Sequence, residues 1–182
     1  MHELILGGGR SGKSRCAEAR AAAWLQTPGH SAVLIATALP GDDEMAERIA
    51  RHRADRSQRV PALQTQEVSL NLPEALRTAS APQRLLVVDC LTLWLTQQLM
   101  PLTGAGLDNI AWHAQQEALC AALRNPAGPV VLVSNEIGMG VAPLGRETRR
   151  YLDALGALHQ AVAICCTRVT LMVAGIEVRV KG

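Results

Sequence analysis

Leu4-Ile5-Leu6-Gly7-Gly8-Gly9-Arg10-Ser11-Gly12-Lys13-Ser14 opens the chain with a short apolar run, halts it with three glycines and resumes order at a lysine. The apolar run is too short for a helix and reads as a buried strand. From Lys13 to Trp24 the chain is rich in Ala, Arg and Glu, which favours helix. Between strand and helix stands Gly7-x-x-x-x-Gly12-Lys13-Ser14, the complete P-loop pattern in its required context. Glycines let successive backbone N–H groups turn inward on phosphate oxygens, and the helix beginning at Lys13 adds its positive end. Lys13 supplies a point charge to the β and γ phosphates, and the Ser14 hydroxyl suits Mg²⁺. Gly8, Gly9, Arg10 and Ser11 complete the cradle with further donors. A glycine-rich turn that binds nothing is the bland alternative, and the position at the first strand of an α/β chain weighs against it.

Outward from this stretch, strand and helix signals alternate. Ala32–Ala36 reads as a second strand, Asp42–Arg56 as a helix opened by acidic residues, and Leu63–Val68 as a short strand. Leu72–Thr78 reads as a helix with Pro73 in its first turn. Leu85–Val88 is a strand ending in Asp89, followed by helices over Thr92–Met100 and Leu107–Arg124. Val130–Val133 is another buried strand, and a Gly/Pro loop over 138–145 leads to a helix from Arg146 to about Ala163. Val169–Val173 and Ile176–Val180, joined at Ala174-Gly175, predict an antiparallel hairpin. No repeat or linker interrupts the 182 residues. The expectation is one domain over 1–182 with an α/β fold, mostly parallel and flanked by helices.

Composition narrows the function classes. Phe is absent and Tyr occurs once, so Leu, Val, Ile and Ala must fill the core, the usual filling of a parallel sheet covered on both faces. A formal charge of +2 with interleaved signs leaves no basic stripe for nucleic acid. Three Trp and one Tyr give little for base stacking. Cys16, Cys90, Cys120, Cys165 and Cys166 form no Cys-x-x-Cys pair and read as reduced thiols. No signal peptide and no apolar stretch of spanning length is evident, so a cytoplasmic protein without a membrane span is expected.

Asp89, after an apolar strand, is the natural second metal-binding carboxylate of a P-loop site; capping the next helix is its other reading. The guanine-reading Asn-Lys-x-Asp run of switch GTPases is missing. On the helix Asp42–Arg56, Met45, Ile49 and His52 share a face, which puts His52 at the edge of a buried stripe with Arg48, Arg51, Arg53 and Arg56 around it. Cationic company and partial burial both favour the neutral imidazole. A neutral imidazole beside phosphate-binding arginines is a nucleophile for the α-phosphorus of a nucleotide. Spacing alone fits an interfacial histidine on a basic helix better. Asn135 and Glu136, after a buried strand, would orient substrate or form a polar turn, with neither reading favoured.

The residues together resemble a known family. The opening Gly-Gly-Gly-Arg-Ser-Gly-Lys-Ser, Ile35-Ala36-Thr37, Asp42-Asp43-Glu44-Met45-x-x-Arg48-Ile49-x-x-His52-Arg53, Thr65-x-Glu67, Asp89-Cys90-Leu91-Thr92-x-Trp94 and Ser134-Asn135-Glu136-Ile137-Gly138-Met139-Gly140 resemble the bifunctional adenosylcobinamide kinase / adenosylcobinamide-phosphate guanylyltransferase family of cobalamin synthesis. The likeness runs in order along essentially the whole chain. Leu63, Leu152 and His159 depart from it, where the family pattern has tryptophan, arginine and asparagine. The resemblance implies two reactions at one site. ATP or GTP first phosphorylates the hydroxyl of adenosylcobinamide. A histidine matching His52 then captures GMP from GTP and passes it to the phosphorylated corrinoid.

The resemblance also implies nucleotide contacts at Gly7 to Ser14, at Ala36, Thr37 and Ala38, at Arg53, Ala54, Asp55 and Arg56, and at Glu67 and Asp89. Glu67 by itself reads as an ordinary surface carboxylate. Mg²⁺ on Ser14 and Asp89, catalysis by Lys13, Ser14, Asp89 and His52, and a homotrimer complete the expectation. Two rivals remain: a P-loop kinase for another small alcohol, with His52 structural, and a non-catalytic nucleotide sensor.

Overall fold

A computed structural model describes residues 2–141 and 143–182. Thirteen elements follow in order. They are β1 (His2–Gly7), α1 (Lys13–Trp24), β2 (Ser31–Ala36), α2 (Asp43–Arg59), β3 (Gln64–Glu67), α3 (Leu72–Ala79) and β4 (Arg84–Asp89). After them come α4 (Leu91–Leu99), α5 (Asn109–Arg124), β5 (Val130–Asn135), α6 (Arg146–Cys165), β6 (Arg168–Val173) and β7 (Ile176–Lys181). The strands form one sheet in the order β3-β2-β4-β5-β1-β6-β7. All neighbours are parallel except β6 and β7, which pair antiparallel. The α/β class, the mostly parallel sheet and the C-terminal hairpin are therefore as the sequence predicts.

Strand alternation divides the core in two. Leu4, Val33, Leu86, Val88 and Leu132 point to a face covered by α3 to α6, with Trp94 and Trp112 packed at a centroid distance of 5.3 Å. Ile5, Leu34, Val87, Val131 and Val133 point to the face covered by α1 through Cys16, Ala17 and Ala21. Central strands buried on both faces must read as continuous apolar runs, and they do. The hydrogen-bonded strands are longer than those runs. Pairing on both sides carries β1 out to His2 and Gly7, residues whose side chains add no apolar signal. β3, an edge strand, is exposed along its whole length.

Local chemistry sets the helix boundaries. Asp42 caps α2 by accepting from the Met45 amide at 2.7 Å, with Asp43 and Glu44 in the first turn and Arg56 and Arg59 in the last. Asp108 caps α5 through the Ala111 amide at 2.8 Å. In the β6–β7 turn Ala174 and Gly175 both adopt positive φ, 51° and 83°, the geometry of a two-residue hairpin turn.

One polar cluster ties α1 to the sheet. Arg20 Nε donates to the buried Glu3 carboxylate at 2.9 Å, Thr170 Oγ1 donates to the same carboxylate at 2.7 Å, and Arg20 also reaches Glu177 on β7. Glu3 is 3% exposed, so removing its cation leaves a charge in the core. Arg20→Ala is expected to lower stability by about 2–3 kcal/mol, read from the urea midpoint at unchanged slope.

Candidate functional site

The P-loop is a sequence of backbone compromises. Gly7 (φ 153°), Arg10 (φ 55°) and Gly12 (φ 98°) all lie at positive φ. A Cβ on Gly7 would stand 2.6 Å from Met172 O and 2.6 Å from Ser11 Oγ, so no other residue fits there. Gly12 caps α1 in the left-handed conformation. The hairpin turn braces the loop from outside, its Gly175 amide donating to Ser11 O at 3.0 Å. Lys13 is 7% exposed, and its Nζ donates to Gly8 O at 2.6 Å, folding the side chain over its own loop. Burial holds the Lys13 ammonium below its usual value, with Asp89 opposing. The Ser11 hydroxyl is buried without a hydrogen-bond partner, an orphan that a phosphate oxygen would satisfy.

These groups line a cavity of about 650 Å³, at the carboxyl ends of the parallel strands. Arg10, Ser11, Lys13 and Ser14 line it from the P-loop, and His52, Arg53, Asp55 and Arg56 line it from α2. Ala36, Ala38, Glu67 and Asp89 complete the set from the strand ends. Gly7, Gly8 and Gly9 shape the loop without lining the cavity. Ala54 is exposed and outside it. Thr37 is also outside. Its fully buried hydroxyl donates to Cys90 O at 2.7 Å and accepts from Cys90 N at 2.8 Å, so it clamps β2 to β4 and has nothing left for a ligand.

Asp89 does not cap α4. Cys90 holds the cap position and makes no side-chain bond there, leaving the Asp89 carboxylate at the cavity. For a divalent cation, Ser14 and Asp89 offer a hydroxyl and a carboxylate in one cavity. Among the described residues no cluster of three or more His, Cys, Asp or Glu could hold a metal by itself. This sparse oxygen set fits Mg²⁺, which takes its remaining ligands from phosphates and water.

α2 differs from the sequence expectation. Met45, Ile49 and His52 do share a face, but they do not enter a core stripe; they are half-buried along the cavity wall, and Arg56 is the one buried residue of the helix. Polar ties hold the C-terminal half of α2: Arg53 to Glu67, Arg56 to Thr65 Oγ1 at 3.2 Å, and Arg59 Nε to Glu18 Oε2 at 2.8 Å. Burial is the main cause that lowers the His52 pKa below the usual histidine value. Arg48 and Arg51 add to it, while Asp89 and Asp55 oppose. The imidazole is thus neutral at pH 7 and within the field of Asp89.

The cavity also gathers residues that sequence reasoning passed over or left open. Arg59, two turns after His52, lines it; its helical spacing from His52 was the available signal. Arg48 and Arg51, which the sequence already places around His52, line it as well. Asn135 lines it too. β5 lies between β1 and β4, so Asn135, paired with Gly7, sits between the cradle and the Asp89 strand. Glu136 turns the other way, its Oε2 3.6 Å from His159 Nδ1.

Comparison with known proteins bears on this arrangement. The profile of the cobinamide kinase / cobinamide phosphate guanyltransferase family, CobU, matches residues 3–180. The chain belongs to this family. A bifunctional adenosylcobalamin biosynthesis protein, CobP, of Pseudomonas aeruginosa is 49% identical over 183 residues, covering 100% of this chain and 98% of that protein. Bifunctional adenosylcobalamin biosynthesis proteins named CobU are 35% identical in Escherichia coli and 36% identical in Salmonella typhimurium, each over 100% of both chains. Membership makes the chain an enzyme of the kinase and guanyltransferase class. Two solved structures share the fold at low identity. A Pyrococcus horikoshii protein, PH0250, has a TM-score of 0.57 at 8% identity over 100% of this chain and 86% of its own. The flagellar accessory protein FlaH of Methanocaldococcus jannaschii has a TM-score of 0.52 at 12% identity, over 99% and 77%.

If the cavity holds a nucleoside triphosphate, GTP with Mg²⁺ at a hundred times its Kd stabilises the fold by about 2.7 kcal/mol. Lys13→Ala is expected to remove most of that thermal shift while leaving the ligand-free melting point near the parent value.

Proposed function

We propose that the chain, acting as one domain over 1–182, phosphorylates adenosylcobinamide with ATP or GTP and then transfers GMP from GTP to the product through a guanylylated His52. The observation that carries this reading is the His52 imidazole lining the same cavity as the P-loop, where burial lowers its pKa. Family membership supplies the two reaction classes, and the cavity supplies groups suited to each.

For the kinase step, the backbone amides of Arg10 to Ser14 and the Lys13 ammonium bind the β and γ phosphates, with Gly7, Gly8 and Gly9 shaping the turn. Mg²⁺, held by Ser14 and Asp89, adds charge neutralisation when bound. Positioning and electrostatics carry phosphoryl transfer, with little covalent work for the protein. For the guanylyl step, a lone pair of the His52 imidazole attacks the α-phosphorus. The bond from that phosphorus to the bridging oxygen breaks and pyrophosphate leaves, while the ring keeps its N–H, so that the adduct is an imidazolium phosphoramidate and the ring departs as neutral imidazole in the next step. A phosphate oxygen of the phosphorylated corrinoid then attacks the same phosphorus, and the P–N bond breaks with its electrons returning to the ring. Arg48, Arg51 and Arg56 are suited to hold the phosphates. Glu67 is suited to the ribose or guanine, with Arg53 as its partner. The proposal includes a cytoplasmic homotrimer. No helix among the described residues is long and apolar enough to cross a membrane.

Incubation with GTP labelled at the α-phosphate should give an acid-labile, base-stable protein adduct that disappears in His52→Ala. An unlabelled, mass-unchanged protein after GTP treatment would defeat the guanylyl half and leave a P-loop kinase with a structural His52. A sensor would show neither labelling nor turnover. The labelling rate should also depend on pH. Since the His52 pKa is lowered, the free lone pair is present above that pKa and lost below it. Single-turnover labelling should therefore hold a plateau at pH 7–8 and fall with a midpoint below the ordinary 6.5 of histidine.

A further inference from the structure

A second imidazole, outside the chemistry above, stands behind the cavity. His159 on α6 is 7% exposed, Ser134 on β5 is fully buried and Thr92 on α4 is 7% exposed. His159 Nε2 lies 2.7 Å from Ser134 Oγ, Ser134 Oγ lies 3.0 Å from Thr92 Oγ1, and the Asn135 amide donates to Thr92 Oγ1 at 2.7 Å. On the other side of the ring, Nδ1 lies 3.6 Å from Glu136 Oε2. Glu136 Oε1 accepts from the Gly138 amide at 2.7 Å.

Proton counting gives this chain a direction. Neutral histidine has one N–H, and a lone pair facing the Glu136 carboxylate would be repelled, so the proton sits on Nδ1. Nε2 must then accept from Ser134, Ser134 must accept from Thr92, and Thr92 accepts from the Asn135 amide. Every hydroxyl donates once and accepts once, and no buried group is left over. The ends of the chain are consecutive residues, Asn135 and Glu136. Asn135 lines the cavity, and the Glu136 amide donates to Gly7 O at 2.9 Å, at the first glycine of the cradle.

We propose that His159 and Glu136 are positioning residues: they fix the polarity of a hydrogen-bond chain that holds Asn135 and Gly7 at the nucleotide cavity, and protonation of His159 breaks that polarity. A proton on Nε2 confronts the Ser134 hydroxyl with a second donor. Ser134 must turn toward Thr92, whose oxygen then receives two donors and whose own proton loses its acceptor. The groups facing the ring are Ser134 from β5 and Glu136 from the β5–α6 turn. Behind Ser134, the Thr92 carbonyl accepts from the Tyr151 phenol. Glu136 is the one carboxylate among them. Burial lowers the His159 pKa, with Glu136 opposing, so the neutral form prevails at pH 7.

This inference rests on nucleotide binding in the cavity, not on guanylyl transfer, and its test uses a His52→Ala background to remove the imidazole that lines the cavity and any covalent chemistry. The Kd for Mg-GTP is measured from pH 5 to 8.5. The parent background should weaken by about 3–10-fold on the acid side, with a midpoint below the ordinary 6.5 of histidine. Adding His159→Asn should flatten that limb, because the amide accepts through Oδ1, donates through Nδ2 and does not titrate. Adding Glu136→Gln should move the limb to lower pH, since the charge that favours the imidazolium is gone. ¹⁵N shifts of the ring at pH 8 should report the Nδ1–H tautomer. An unchanged acid limb in His159→Asn, or an Nε2–H ring at pH 8, overturns the proposal. Absence of GTP binding in the parent would defeat the cavity assignment, and the tautomer measurement would still decide the anchor.

Discussion

The structure turns on the backbone at the end of β1. Gly7 must leave a central strand at a positive φ, in a space bounded by Met172 O and the Ser11 hydroxyl, where a Cβ would be 2.6 Å from both. That turn aims the following amides inward and delivers Gly12 in the left-handed conformation that starts α1. β5 and β6 clamp β1 on either side, and the β6–β7 hairpin closes on Ser11. The antiparallel pair at the sheet edge thus braces the P-loop as well as ending the fold.

Charge organises what the backbone leaves open. α2 buries no apolar side chain and is held to β3 and α1 by arginines in its last turns. Those arginines line the cavity together with Met45, Ile49 and His52. Asp89 acts on Lys13 and Arg56, cations that would otherwise repel one another at the cavity, and its field also reaches the neutral His52. A helix fixed by charge at one end and bordering the cavity suits the proposed handling of two phosphorus atoms of one nucleotide.

Much of this was legible in the sequence because the signals were local. The P-loop needs only its own spacing and flanking periodicity, and buried parallel strands announce themselves as apolar runs such as Leu85–Val88. Where contacts are distant in sequence, reading stopped short. Met45, Ile49 and His52 gave an apolar periodicity, but a cavity wall and a core present the same pattern, and only the fold separates them. Thr37 carries no local sign that its hydroxyl is consumed by Cys90, 53 positions away. Asn135 and Glu136 are adjacent polar residues after a strand. Strand alternation sends one to the cavity and the other toward His159, 23 positions downstream on α6.

The central claim is that one cavity serves both transfers, which nucleotide stoichiometry tests most directly. Calorimetric titration with GTP, and then with a non-hydrolysable ATP analogue in the presence of saturating GTP, should give one nucleotide per chain and full competition between the two. Two nucleotides bound independently to one chain would contradict the account.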